Sequence, residues 1–162
     1  MKTVVRLKIL SDELLPEAIS EKLGLSPDLS WHKGVPDGKT TPNMLKWSGW
    51  ILNSGAPEDV PLEKQIRTLL TKLEPRAHQL RAISALETVN ISCVIYSDTA
   101  PPLYFEKEVI GVVASLGANF DIDLYPSSDA VEPVEDILVV ERKDTPGTSG
   151  EPSHSKSKRQ VM

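Results

Sequence analysis

Residues 120–125 read FDIDLY, a strict alternation of apolar and polar side chains. Successive side chains on a strand point to opposite faces, so Phe120, Ile122 and Leu124 share one face and Asp121, Asp123 and Tyr125 the other. The pattern predicts a strand with an apolar face on the core and two carboxylates and a phenol on a face turned to water. Residues 4–10 repeat the logic, with Val5, Leu7 and Ile9 on one side and Arg6 and Lys8 on the other. Such a chain builds a sheet with one dry and one wet face.

Between these runs the period changes to that of a helix. Pro16 suits a first helical turn, Ile19 and Leu23 line one side, and Gly24 is placed to end it. Residues 25–34 (LSPDLSWHKG) read as a loop, and residues 46–53 (KWSGWILN) as a second alternating strand. Leu62, Ile66, Leu69, Leu70 and Leu73 then recur at helical spacing, the strongest amphipathic pattern in the chain. Pro75 interrupts it, and residues 76–86 continue as a second helical piece leading to a strand over 91–98 (ISCVIYSD). A helix over about residues 106–116, with Val109, Val112, Val113 and Leu116 buried and Gly117 as its stop, returns the chain to the final strand.

The order strand, helix, strand, strand, helix, strand, followed by helix and strand, predicts an α+β fold. The expected sheet is mainly antiparallel with helices on one face, a ferredoxin-like arrangement with an appended helix-strand unit. Helices on one side leave Arg6, Lys8, Tyr96, Asp98, Asp121, Asp123 and Tyr125 on the other, joined by Trp50 if its strand takes the matching register.

A chain of 162 residues, 40% hydrophobic and 25% charged, suffices for one domain with its own core. The domain is expected over residues 1–126. After Pro126 the composition turns to Ser, Pro, Glu, Lys and Gly, which bury too little apolar area to offset ordering entropy, so 127–162 reads as a mostly disordered tail. Its one apolar run, ILVV, could form a short strand within 136–141. The single cysteine, Cys93, excludes an internal disulfide and a cysteine-rich zinc site. No segment approaches the 18 to 20 apolar residues of a membrane span, and Arg6 and Lys8 interrupt the N-terminal run before a signal core forms, so the expected location is cytoplasmic.

Several motifs in fixed order resemble one family: SWHKG with Ser30, Trp31, Lys33 and Gly34; GWILNSG with Gly49 and Trp50; the leucine-rich helix ending LEP at Pro75; SCVIYSD; and LGANFDIDLYP. Together they span most of residues 3–126 and are similar to the domain-of-unknown-function family numbered forty-two seventy-nine. The chain departs at Leu15, where the family favours a polar helix cap before Pro16. The resemblance implies a shared fold and a bacterial source, and brings no activity with it.

Chemistry is sparse. Asp121 and Asp123 share a strand face with Asp98 near the end of another strand, an oxygen set that could hold magnesium or calcium. The plainer expectation is that Arg6 and Lys8 pair with these acids across strands, so no metal or cofactor is expected. Cys93 belongs to a core face and reads as a small buried hydrophobe. His32, His78 and His154 fall on a loop, a helix and the tail with no ligand spacing, and neither a phosphate-binding glycine loop nor a GxSxG elbow occurs, so no catalytic residue is assigned. Trp31, Lys33 and Trp50 join Tyr96, Asp98, Asp121, Asp123 and Tyr125 as candidate binding residues. Paired tyrosines on adjacent strands could stack RNA bases, but the flanking carboxylates and a net charge of −5 oppose phosphates. The reading is a non-enzymatic interaction module, of accessory or immunity type, with a protein partner at the open sheet face. A metal-dependent protein built on Asp98, Asp121 and Asp123 is the alternative, and single-stranded RNA binding the third.

Overall fold

The computed structural model describes residues 1–38 and 43–129. Five strands form one sheet: β1 (Lys2–Ser11), β2 (Leu29–Trp31), β3 (Ser48–Asn53), β4 (Thr88–Tyr96) and β5 (Asn119–Tyr125). Their spatial order is β2-β3-β1-β4-β5, antiparallel at every pair except β4 with β5. The first four strands have the ferredoxin-like order, and a helix-strand unit is appended as the sequence predicts, its strand β5 pairing in parallel with β4. Among the described residues four helices accompany the sheet: α1 (Pro16–Leu23), α2 (Leu62–Leu73), α3 (Ala77–Ser84) and α4 (Lys107–Ser115). The expected tail strand within 136–141 lies outside the described residues. At the proposed tail's start, Ser127–Asp129 form a short 3-10 turn.

Alternation decides which side of the sheet the helices take. Val5, Leu7 and Ile9 of β1, Trp50 and Leu52 of β3, and Val89, Ile91 and Cys93 of β4 form one buried cluster. Ile19 and Leu23, Ile66, Leu69 and Leu73, Leu80 and Ile83, and Val109 and Val113 of the four helices belong to the same cluster. Burying one such aliphatic side chain contributes about 1.5–3 kcal/mol, so this stripe-on-sheet contact dominates the favourable side of folding.

Local chemistry sets the helix ends. Leu15 gives α1 no side-chain cap. The Ser11 hydroxyl accepts from the Leu14 N–H at 2.6 Å and donates to Glu87 Oε1 at 2.7 Å, tying the helix start to the approach to β4. Gly24, at φ 62°, ends α1 in the left-handed conformation that glycine adopts without penalty. Pro75 converts the junction of α2 and α3 into a 3-10 turn, Glu74–Arg76. From that turn the Arg76 guanidinium donates to Leu23 O at 2.8 Å and Lys72 O at 2.9 Å, placing a cation at two helix C-terminal ends.

Some details depart from expectation. β2 occupies residues within the expected loop; at three residues it is too short to show a period. β4 begins at Thr88 and ends at Tyr96, so Ser97 and Asp98 lie beyond it. Leu124 shares the parity of Phe120 and Ile122 yet is 55% exposed, whereas those two pack against the main cluster.

Candidate functional site

Register fixes the contents of the second sheet face. Arg6 lies between Asn53 of β3 and Ser92 of β4, and Ser92 is followed by Asp121 of β5. Lys8 lies between Ile51 and Asn90, and Tyr96 between Lys2 and Tyr125. The face is therefore the one that alternation predicts, but it is not wet. Arg6 is 2% exposed, Lys8 4% and Tyr96 1%, and each engages an interaction partner. Val4, Val94 and Tyr96 form a second apolar cluster with Tyr125 packed on it. Parity assigns a residue to a face; it says nothing about what covers that face, and buried cations persist where polar partners satisfy them.

β4 separates β1 from β5, so Arg6 and Asp121 share a rung without being neighbours on it. The rings of Tyr96 and Tyr125 stack on each other at 5.7 Å between centroids. Burial of Tyr96 removes the open platform that base stacking requires.

The other candidates disperse. The Asp98 carboxylate accepts from the Ser127 N–H at 3.0 Å. Among the described residues no group of three or more His, Cys, Asp or Glu is disposed to hold a metal ion. Trp50, a proposed surface anchor, is fully buried under α1, with its indole N–H donating to Ser20 Oγ at 2.9 Å. Pairing with Ile9 puts it on the helix side, a register that the sequence leaves open. Trp31 donates from its indole nitrogen to Trp47 O at 2.9 Å, and Lys33 reaches Asp12 Oδ1 at 2.6 Å. Both tie the loop after β2 to the body, while His32 meets Glu17 at 3.1 Å. The backbone and then His32 hold the Glu17 carboxyl below the usual carboxylate range. The Cys93 thiol is pushed up to about 12, first by burial and then by the charge of Asp121. A thiol so held is not a nucleophile at neutral pH.

Exposed apolar area gathers elsewhere, where β4 and β5 end. Their parallel pairing through α4 places both carboxyl ends together, the position at which parallel sheets present crevices. One groove, of about 270 Å³, is lined by Met1, Thr3, Leu62, Ile95, Pro101 and Tyr104, among others. A second, of about 300 Å³, is lined by Asp98, Pro101, Leu124 and Tyr125, among others. Pro101 borders both, so residues 97–104 form a ridge between them. Met1, Leu103, Tyr104 and Leu124 are all exposed along this rim, Tyr104 at 75%. Of the residues named from sequence, Asp98 and Tyr125 belong here. Leu103 and Tyr104 carry no periodic signal, and the paired prolines before them are the mark that could have drawn attention.

No helix among the described residues is long and apolar enough to cross a membrane. No curated protein and no solved structure matches the chain. A family model does, over residues 1–127, almost the same span that the sequence motifs cover. The chain belongs to the domain of unknown function family DUF4279.

Proposed function

We propose that this domain is a protein-interaction module whose contact surface is the rim at the carboxyl ends of β4 and β5, in place of the sheet face that sequence parity suggests. The observation that supports it is the clustering of Met1, Leu103, Tyr104 and Leu124 in exposed positions around two shallow grooves. Exposed apolar groups gathered on a rigid body favour association, and aromatic side chains are enriched at the centres of interfaces. The buried thiol and the scattered acids supply no counterpart for an enzyme reading. An accessory or immunity-type role beside another bacterial protein, in the cytoplasm, is the form in which such a module operates.

The test replaces Tyr104 with a photo-crosslinking amino acid in the full chain and, separately, the exposed Glu21 of α1 as a control. Irradiation in extracts of the source cells is expected to give a discrete protein adduct from position 104 and none from position 21. Leu103→Asp on the crosslinking chain should suppress the adduct while leaving Tm unchanged. Equal labelling from both positions, or none from 104, would overturn the reading.

A further inference from the structure

Residues 101–104 read Pro-Pro-Leu-Tyr. Proline fixes φ near −65°, and a residue preceding proline is forced out of the helical region into extended conformations. Ala100 and Pro101 both precede prolines, so the sequence alone extends two consecutive positions. From residue 100 to 106 the chain runs without turn, bend or ladder partner. No non-glycine residue among those described has a positive φ. At the end of the segment Glu106 has φ −65° and ψ 146°, within the polyproline II region.

The segment is held at both ends. Ser97 Oγ donates to Thr99 O at 2.7 Å before it, and Phe105 stacks on Phe120 at 5.0 Å after it. Pro102, Leu103 and Tyr104 are exposed, and the Tyr104 hydroxyl makes no hydrogen bond among the described residues. In polyproline II geometry, with three residues per turn, positions 101 and 104 fall on one edge and 102 and 103 on the other two. An extended strut of this kind loses little conformational entropy on docking, the reason proline-rich peptides suit grooves lined with aromatic side chains.

We infer that residues 101–104 are a built-in proline-rich recognition peptide, presented by the fold to a partner domain whose aromatic-lined groove grips the prolines and whose second pocket takes the Tyr104 ring. This rests on the interaction-surface reading above and names the class of partner it serves.

The probe is a purified WW domain of the type that reads two prolines followed at the fourth position by tyrosine, titrated against the full chain by calorimetry. Saturable binding is expected. Tyr104→Ala, and separately a Pro101→Ala, Pro102→Ala double variant, should weaken it about tenfold or more, as loss of an anchor does. Leu86→Ala, an exposed side chain before the opposite end of β4, should change it by less than about twofold. Thermal melts of all variants should match the parent, since the altered side chains are largely outside the core. Absence of saturable binding, or binding that Tyr104→Ala leaves intact, overturns the inference. Self-association abolished by Tyr104→Ala would assign the rim to a second copy and overturn it too. Persistence of the position-104 crosslink without WW binding would defeat the partner class alone, whereas loss of both would defeat the interaction surface as well.

Discussion

The indole of Trp31 lies against the backbone of Gly49, its partner across β2 and β3, so closely that a Cβ at residue 49 would collide with the six-membered ring. Backbone freedom is not the reason for glycine at this position; the space its missing side chain leaves is. Gly49→Ala should therefore displace the indole, strain its bond to Trp47 O and lower stability by about 1–3 kcal/mol, the usual cost of overpacking. Urea denaturation monitored by tryptophan fluorescence measures it, and a Gly49→Ala, Trp31→Ala double variant should recover part of the loss.

Gln65 is a buried polar residue on α2 whose amide nitrogen donates to Thr3 O at 3.1 Å, Thr3 Oγ1 at 2.5 Å and Val60 O at 3.2 Å. Gln65→Leu keeps the bulk and removes the donors, so about 1–3 kcal/mol of stability should be lost through unsatisfied acceptors. Gln65→Glu should be worse at neutral pH and partly restored in acid, because only the protonated carboxyl can donate. Paired denaturant curves at pH 5 and pH 7.5 decide it.

Cys93 has its thiol pushed up to about 12 from an ordinary value of 9.0, so the folded chain keeps the proton that the unfolded chain releases. The sign follows: this stabilising contribution is complete below about pH 9 and declines as pH rises towards 12, by at most about 1.4 kcal/mol per pH unit. Stability curves between pH 8 and 11 should fall less steeply in Cys93→Ala than in the parent. A thiol reagent should react with the native protein only at the rate of unfolding, and burst labelling at pH 8 would show the assignment to be wrong.

Asp98, Asp121 and Asp123 should not act together on a cation. Magnesium, calcium or manganese at millimolar concentration is expected to leave Tm unchanged, since any ion bound to the native state alone must raise it by mass action. A rise of several degrees, lost in an Asp121→Asn, Asp123→Asn double variant, would restore the metal reading.

Much of the fold was legible because alternation and helical period are signals of burial, and burial is what orders these elements. β1, β5 and α2 announce themselves in that way, and paired with the connection order they give the sheet. β2 was not legible: Leu29–Trp31 owes its strand geometry to pairing with β3, a tertiary cause. Trp50 lies in a run that reads as a strand, yet its entry into the core depends on its pairing with Ile9. For the site, parity placed Arg6, Lys8 and Tyr96 on one face correctly and left their burial unread. The rim around Tyr104 escaped because exposed loop chemistry has no period. Its prolines were visible, but their significance depends on the ends of the segment being held by Thr99 and by Phe105.

β1 is the earliest in sequence of this sheet's strands and the middle one in space, with β3 on one edge and β4 on the other. Its second edge is filled only when Thr88–Tyr96 has been synthesised, so until then the nascent domain carries an apolar ribbon with unsatisfied backbone groups. That interval is when this domain is most open to aggregation and to capture by chaperones, and its duration is set by elongation rate rather than by the stability of the finished fold.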